Sequence, residues 1–159
     1  MKVFVTVGSM LPFDRLVAAM DTWASRHAEA SVFAQIGDSS LRPTHLDFSE
    51  MISPADYRKR FEESDLVVSH VGMGTVITAF EIGKPLVMLP RRPDFQEVTS
   101  NHQIATAKWL DGRPGVHLVY DETAIAGAIE EAIGSTGVSR IDSGTRQSLI
   151  GALREFIAA

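Results

Sequence analysis

Leu66 to Leu89 reads LVVSHVGMGTVITAFEIGKPLVML, and the order of residue types in it decides the fold. Leu66 to Ser69 is a short, β-branched apolar run, which predicts a strand buried on both faces. The loop His70-Val71-Gly72-Met73-Gly74 follows. Thr75 to Ile82 predicts a helix. Gly83 and Pro85 stop it, because glycine accepts a left-handed cap and proline cannot continue a helix. Leu86 to Leu89 is apolar again and predicts a second strand. Strand, helix and strand joined this tightly make a βαβ unit, in which the two strands run parallel.

The same alternation extends in both directions. Lys2 to Val7 (KVFVTV) predicts a buried strand ending at Gly8. Pro12 suits a first helical position, and Phe13, Leu16, Val17, Met20 and Ala24 fall on one helical face. Ser31 to Ile36 predicts a strand, His45 to Phe48 a weaker one, and Pro54 to Glu63 a short polar helix. Beyond Leu89, Pro90 to Thr99 is a charged loop. Ser100 to Leu110 predicts a helix, Val116 to Tyr120 a strand, and Glu122 to Ile133 a helix. The fold class is therefore α/β, a Rossmann-like, mainly parallel sheet in residues 1–133. Residues 134–142 (GSTGVSRID) form a polar linker. Residues 143–159 predict a C-terminal amphipathic helix with the stripe Leu149, Ile150, Leu153, Phe156 and Ile157. Such a stripe docks on its own sheet or on a partner.

Composition excludes several functions. The chain has 159 residues, 45% hydrophobic and 22% charged, with formal net charge −5. An acidic balance argues against a nucleic-acid partner. With no cysteine, disulfide scaffolds, thiolate metal sites and cysteine nucleophiles are out. The five histidines are scattered, without metal-ligand spacing. The opening apolar stretch is too short for a signal peptide, and no apolar run spans a bilayer. The expected compartment is the cytoplasm.

In open α/β sheets, ligands bind beyond the carboxyl ends of the strands. Three segments meet that condition. Gly8 and Ser9 follow the first strand; a plain strand-to-helix turn would use the same residues. Gly72, Met73, Gly74 and Thr75 open a helix whose N–H groups and dipole favour a phosphate. His70 borders that cradle, although a histidine at a strand end is commonly just hydrogen-bonded to backbone. The third segment holds Arg91 and Arg92, fit for an anion or for a solvated loop, and Asn101, His102 and Gln103 at a helix start. Ser100 with Gln103 reads as a capping box.

The run SHVGMGTVITAFEIGKPLVMLPRR with the later NHQIATA, and the opening VTVGSMLPFDRLV, resembles the C-terminal, donor-binding domain of family 28 glycosyltransferases of the GT-B fold. It looks most like the stand-alone form of that domain, the small catalytic subunit of two-part transferases. Such subunits serve bacterial exopolysaccharide glucuronosyl transfer and eukaryotic dolichol-linked UDP-GlcNAc transfer. The resemblance implies a UDP-sugar donor carrying glucuronic acid, glucose or GlcNAc, and a lipid-linked acceptor in polysaccharide biosynthesis. It implies that Gly8, Ser9 and the His70–Thr75 loop hold the diphosphate, and that Asn101, His102 and Gln103 meet the sugar. In single-chain relatives a glutamate on the helix after the glycine loop holds the ribose. Thr78 stands there in this chain, and Glu81 lies one turn on, about 4.5 Å along the axis.

The resemblance further implies a membrane-anchored, acceptor-binding partner that recruits this chain to the cytoplasmic face of the membrane. The C-terminal helix would contact that partner, or a second copy of the chain in its absence. The general base is expected from the partner, His70 offers local electrostatic help, and no metal or cofactor is expected. Two other readings compete. One is a non-catalytic regulatory module that binds a nucleotide sugar. The other is a flavodoxin-like interaction domain, for which no acidic phosphoacceptor cluster is present.

Overall fold

A computed structural model describes residues 1–135, 137 and 138. The elements are β1 (Lys2–Thr6), α1 (Asp14–Ser25), β2 (Ser31–Gln35), β3 (Asp47–Ser49), α2 (Pro54–Glu63) and β4 (Leu66–His70). They continue with α3 (Met73–Ile82), β5 (Leu86–Leu89), α4 (His102–Leu110), β6 (Val116–Leu118) and α5 (Ile125–Gly134). Single 3-10 turns occupy Pro93–Phe95 and Glu122–Ala124. The strands form one parallel sheet in the order β3-β2-β1-β4-β5-β6. That is the doubly wound order of a Rossmann fold, with the chain reversing direction across the sheet between β1 and β4.

Two cores follow from the period of two along each strand. Val3, Val5, Val68 and Val87 face α1 and α5, packing on Leu16, Met20, Ile125 and Ile129. Phe4, Val67, Leu86 and Met88 face the other way, onto Phe61 of α2, Val76 and Ala79 of α3, and Leu110 of α4. Both faces of the central strands are therefore buried, which is why their sequences read as unbroken apolar runs. No described helix is long and apolar enough to cross a membrane.

Several boundaries differ from the sequence expectations, each for a local reason. α1 opens at Asp14 and not at Pro12. Phe13 takes the N-cap position with its ring fully buried, and its carbonyl accepts from Leu16 and Val17. α3 begins at Met73, so Met73 and Gly74 lie in its first turn and not in a loop. Gly72 caps it in extended conformation, and glycine is acceptable at an N-cap. β3 is displaced to Asp47–Ser49. The edge strand β6 stops at Leu118, leaving Tyr120 exposed, and the helix expected from Glu122 starts as a 3-10 turn.

Val138, within the segment read as a linker, is buried against the α2–α4 face. Gly115, at φ 75°, would place a Cβ 2.3 Å from the Val138 nitrogen, so the two backbones pass in direct contact. The rest of the linker, apart from Gly134, Ser135 and Gly137, lies outside the described residues, as does the expected helix 143–159.

Candidate functional site

The reversal between β1 and β4 splays the loops that leave them, and a cleft of about 800 Å³ opens there. This is the size of a pocket for a small organic ligand. Its floor is built by strand ends and helix starts. Gly8 leaves β1 at φ 79°, a conformation that glycine adopts without steric cost. The Gln35 side chain at the end of β2 donates to the Gly8 carbonyl at 3.3 Å. His70 ends β4, and α3 starts three residues beyond it, at Met73. The first N–H groups of α3 have no intrahelical acceptor, and its dipole places positive potential on the cleft.

Of the residues singled out from the sequence, Gly8, Ser9, His70, Gly72, Met73, Gly74, Thr75, Thr78, Arg91, His102 and Gln103 all line this cleft. Glu81 and Asn101 do not. Glu81 lies 3.7 Å from Arg58 of α2, away from the cleft, and Asn101 is exposed at the start of α4. The capping box is replaced by other bonds. Asn101, not Ser100, is the N-cap, and Ser100 Oγ meets His102 Nδ1 at 2.7 Å. Gln103 Oε1 instead accepts from the Arg91 backbone nitrogen at 3.0 Å. Gln103 thus ties α4 to the end of β5. Arg91 is not a solvated loop residue either: it is buried, and its guanidinium donates to backbone carbonyls. Arg92 pairs with Asp94 near the surface.

Sequence reasoning passed over one wall of the cleft. Gln35, Met51, Ile52, Pro54 and Tyr57 line the side toward β2 and α2, with the Tyr57 hydroxyl 3.2 Å from Thr75 Oγ1. Two signals pointed there. Gln35 is a lone amide in an apolar strand, and Met51-Ile52 is an apolar pair just before the Ser53-Pro54 helix start. Ser53 indeed caps α2, accepting from the Asp56 nitrogen at 3.1 Å.

His70 is held between two glycines. A Cβ at Gly8 would come 2.7 Å from its Cε1, and one at Gly72 would come 2.2 Å from its Nε2. Both glycines are needed for the ring to sit there. Its Nδ1 is buried without a hydrogen-bond partner. Burial, reinforced by the Arg91 charge, pulls the imidazole down to about 4, so His70 is neutral at physiological pH.

This depression has a sign that can be measured. The unfolded imidazole takes its proton near 6.5 and the folded one only near 4, so between those values the unfolded chain binds more protons. The stability contributed by neutral His70 is complete above the upper value and is lost as pH falls through this window. We expect His70→Asn to remove about 2 kcal/mol of the stability lost between neutral pH and about pH 5. Urea unfolding of both chains across that range checks this, and parallel profiles would refute it.

The family model of the glycosyltransferase family 28 C-terminal domain matches residues 2–136. The chain is 32% identical over 119 residues to the UDP-N-acetylglucosamine transferase subunit ALG13 of Homo sapiens, covering 68% of this chain and 10% of that protein. It is 28% identical over 127 residues to the ALG13 subunit of Yarrowia lipolytica, covering 69% of this chain and 60% of that one. The chain therefore spans less than two thirds of the length of these curated relatives. Among solved structures, an ALG13 solution structure aligns with TM-score 0.60 at 16% identity, over 89% of this chain and 90% of that one. The MurG crystal structure from Acinetobacter baumannii aligns with TM-score 0.57 at 20% identity, over 80% and 40%. At such identities these structures speak for the fold alone. This chain belongs to the glycosyltransferase family 28 C-terminal domain family, and its fold is that of GT-B glycosyltransferase domains.

Proposed function

We propose that this family 28 domain holds a UDP-sugar in the switch-point cleft and forms the donor half of a two-part glycosyltransferase. The observation that carries the reading is the meeting of two glycine-bearing strand ends, Gly8 and Gly72, beside the open first turn of α3. Backbone N–H groups and a helix dipole at that point favour a diphosphate. The relatives named as UDP-N-acetylglucosamine transferase subunits support UDP as the nucleotide.

In this reading the acceptor hydroxyl oxygen attacks the anomeric carbon, the bond from that carbon to the β-phosphate oxygen breaks, and UDP leaves. The hydroxyl proton passes to a base. No carboxylate of the described residues lines the cleft, and His70 is a poor proton acceptor. We therefore assign the base, the acceptor site and the membrane anchor to a partner chain, and the acceptor to a lipid-linked sugar. GlcNAc, glucose and glucuronic acid remain the donor sugars in contention. Titration calorimetry with UDP and ADP tests the nucleotide: UDP is expected to bind more tightly, and equal binding or none would overturn the reading. Sugar transfer on adding the partner separates a catalytic subunit from a regulatory module.

Gln103 is the residue we place against the sugar. Its Oε1 is committed to Arg91, while its amide nitrogen keeps a donor for a ligand hydroxyl. Gln103→Ala is expected to weaken UDP-sugar binding about five- to tenfold relative to UDP, the worth of one neutral hydrogen bond. It should also destabilise the fold by about 1–3 kcal/mol, because the Arg91 N–H is left buried and unpaired. Equal weakening for both ligands would move the sugar site elsewhere.

A further inference from the structure

Two largely buried arginines, Arg15 in the first turn of α1 and Arg91 in the loop after β5, are treated differently. The Arg15 side chain, 10% exposed, is held by the carboxylates of Glu97 and Glu122 at 2.9 and 3.1 Å. Arg91 is 2% exposed, yet among the described residues no carboxylate lies within ion-pair distance of its guanidinium. Glu97, the acid closest in sequence besides Asp94, is occupied by Arg15 and by the Arg92 backbone nitrogen.

Arg91 Nη2 donates to the carbonyl of Val7 at 2.8 Å and to that of Leu11. Both belong to the loop between β1 and α1 that carries Gly8 and Ser9. Its Nε is buried without a partner, and Phe13 lies under the guanidinium at 5.2 Å. A buried charge without a counterion is costly. The cleft wall that Arg91 lines contains no acidic side chain among the described residues. The fold thus keeps a fixed positive charge beside the cleft with no carboxylate in contact with it; Glu97, whose field favours the charged guanidinium, is itself paired with Arg15.

We propose that Arg91 is a positioning residue whose missing counter-charge is the phosphate of the ligand: it locks the Val7–Leu11 loop, and a bound diphosphate offsets its charge. The inference rests on the donor reading for the identity of the diphosphate, but not for the anion itself. The neighbouring His70 imidazole, lowered first by burial, is lowered further by the Arg91 charge.

The test uses the full chain with inorganic pyrophosphate, uridine and UDP as probes. Pyrophosphate should raise the melting temperature of the wild type. Arg91→Gln should lose that rise, and Arg91→Lys, which keeps the charge but not the two-carbonyl reach, should retain most of it. UDP affinity should fall about tenfold or more in Arg91→Gln while uridine affinity is unchanged. Equal stabilisation of wild type and Arg91→Gln by pyrophosphate overturns the proposal, as does a Lys variant that behaves like the Gln variant. If Arg91→Gln does not fold, the wild type still decides. Its Arg91 Nε–H resonance should shift on adding pyrophosphate, and an unmoved resonance refutes the claim. A pyrophosphate response without UDP binding would support the role of Arg91 and remove the nucleotide reading.

Discussion

Gly74→Val should abolish measurable UDP binding by a chain that stays folded. Gly74 is in the first turn of α3, and no heavy atom lies within 4 Å of where its Cβ would be. The open space is the cleft that the residue lines. A Cβ there meets no atom of the surrounding elements within 4 Å, and in a helix valine costs less than glycine does. Stability should therefore change by less than about 1 kcal/mol. The branched side chain would occupy the volume through which a phosphate must come within hydrogen-bonding distance of the α3 N–H groups. We expect the UDP dissociation constant to rise by about a hundredfold or more, which corresponds to about 2.7 kcal/mol. Gly74→Ala should be intermediate. Calorimetry on both variants, with unfolding curves beside it, is the measurement. Unchanged UDP affinity in a folded Gly74→Val chain would place the diphosphate elsewhere.

How far the sequence reaches depends on whether a feature is local. α2 and β5 follow the expected limits, because Ser53-Pro54 at one start and Gly83-Lys84-Pro85 before the other are local signals. The alternation of buried strands and helices was enough to give a parallel sheet, since periodicity and turn chemistry are read within a few residues. The glycine loops were also legible, because strand–glycine–helix is a short pattern. The wall formed by Gln35, Met51 and Tyr57 was not, since it depends on β2 and the start of α2 coming beside β1. Nor were the roles of Arg91 and Gln103. On paper Arg91 looks like half of an exposed Arg-Arg pair; in the fold it reaches back to Val7 and Leu11 across the sheet. Gln103 has the spacing of a capping box, but a carbonyl oxygen that can bond a buried N–H on another element is drawn away from its own helix start. Long-range bonds of this kind have no signature in the local sequence.

Gly72→Ala should be the most damaging single methyl group in the site, and the reason is again a long-range contact. The added carbon would stand 2.2 Å from His70 Nε2, a distance no real Cβ contact tolerates. The ring cannot retreat toward β1, because the Gly8 backbone already lies against its Cε1 side. Either the imidazole leaves its position or the start of α3 shifts. Overpacking of this kind costs about 1–3 kcal/mol, and either movement disturbs the first turn of α3, where the diphosphate is placed. We expect a stability loss of that size together with UDP affinity reduced by at least about thirtyfold. A second substitution separates the two effects. Removing the ring with His70→Ala should relieve the clash, so Gly72→Ala/His70→Ala should recover most of the stability that Gly72→Ala loses relative to His70→Ala alone. If His70 helps to hold the diphosphate, UDP binding should not return. Stability that fails to recover would mean that the damage lies in the backbone at Gly72. Recovered UDP binding in the double variant would mean that His70 only fills space between the two glycines, and that the α3 N–H groups hold the diphosphate without it.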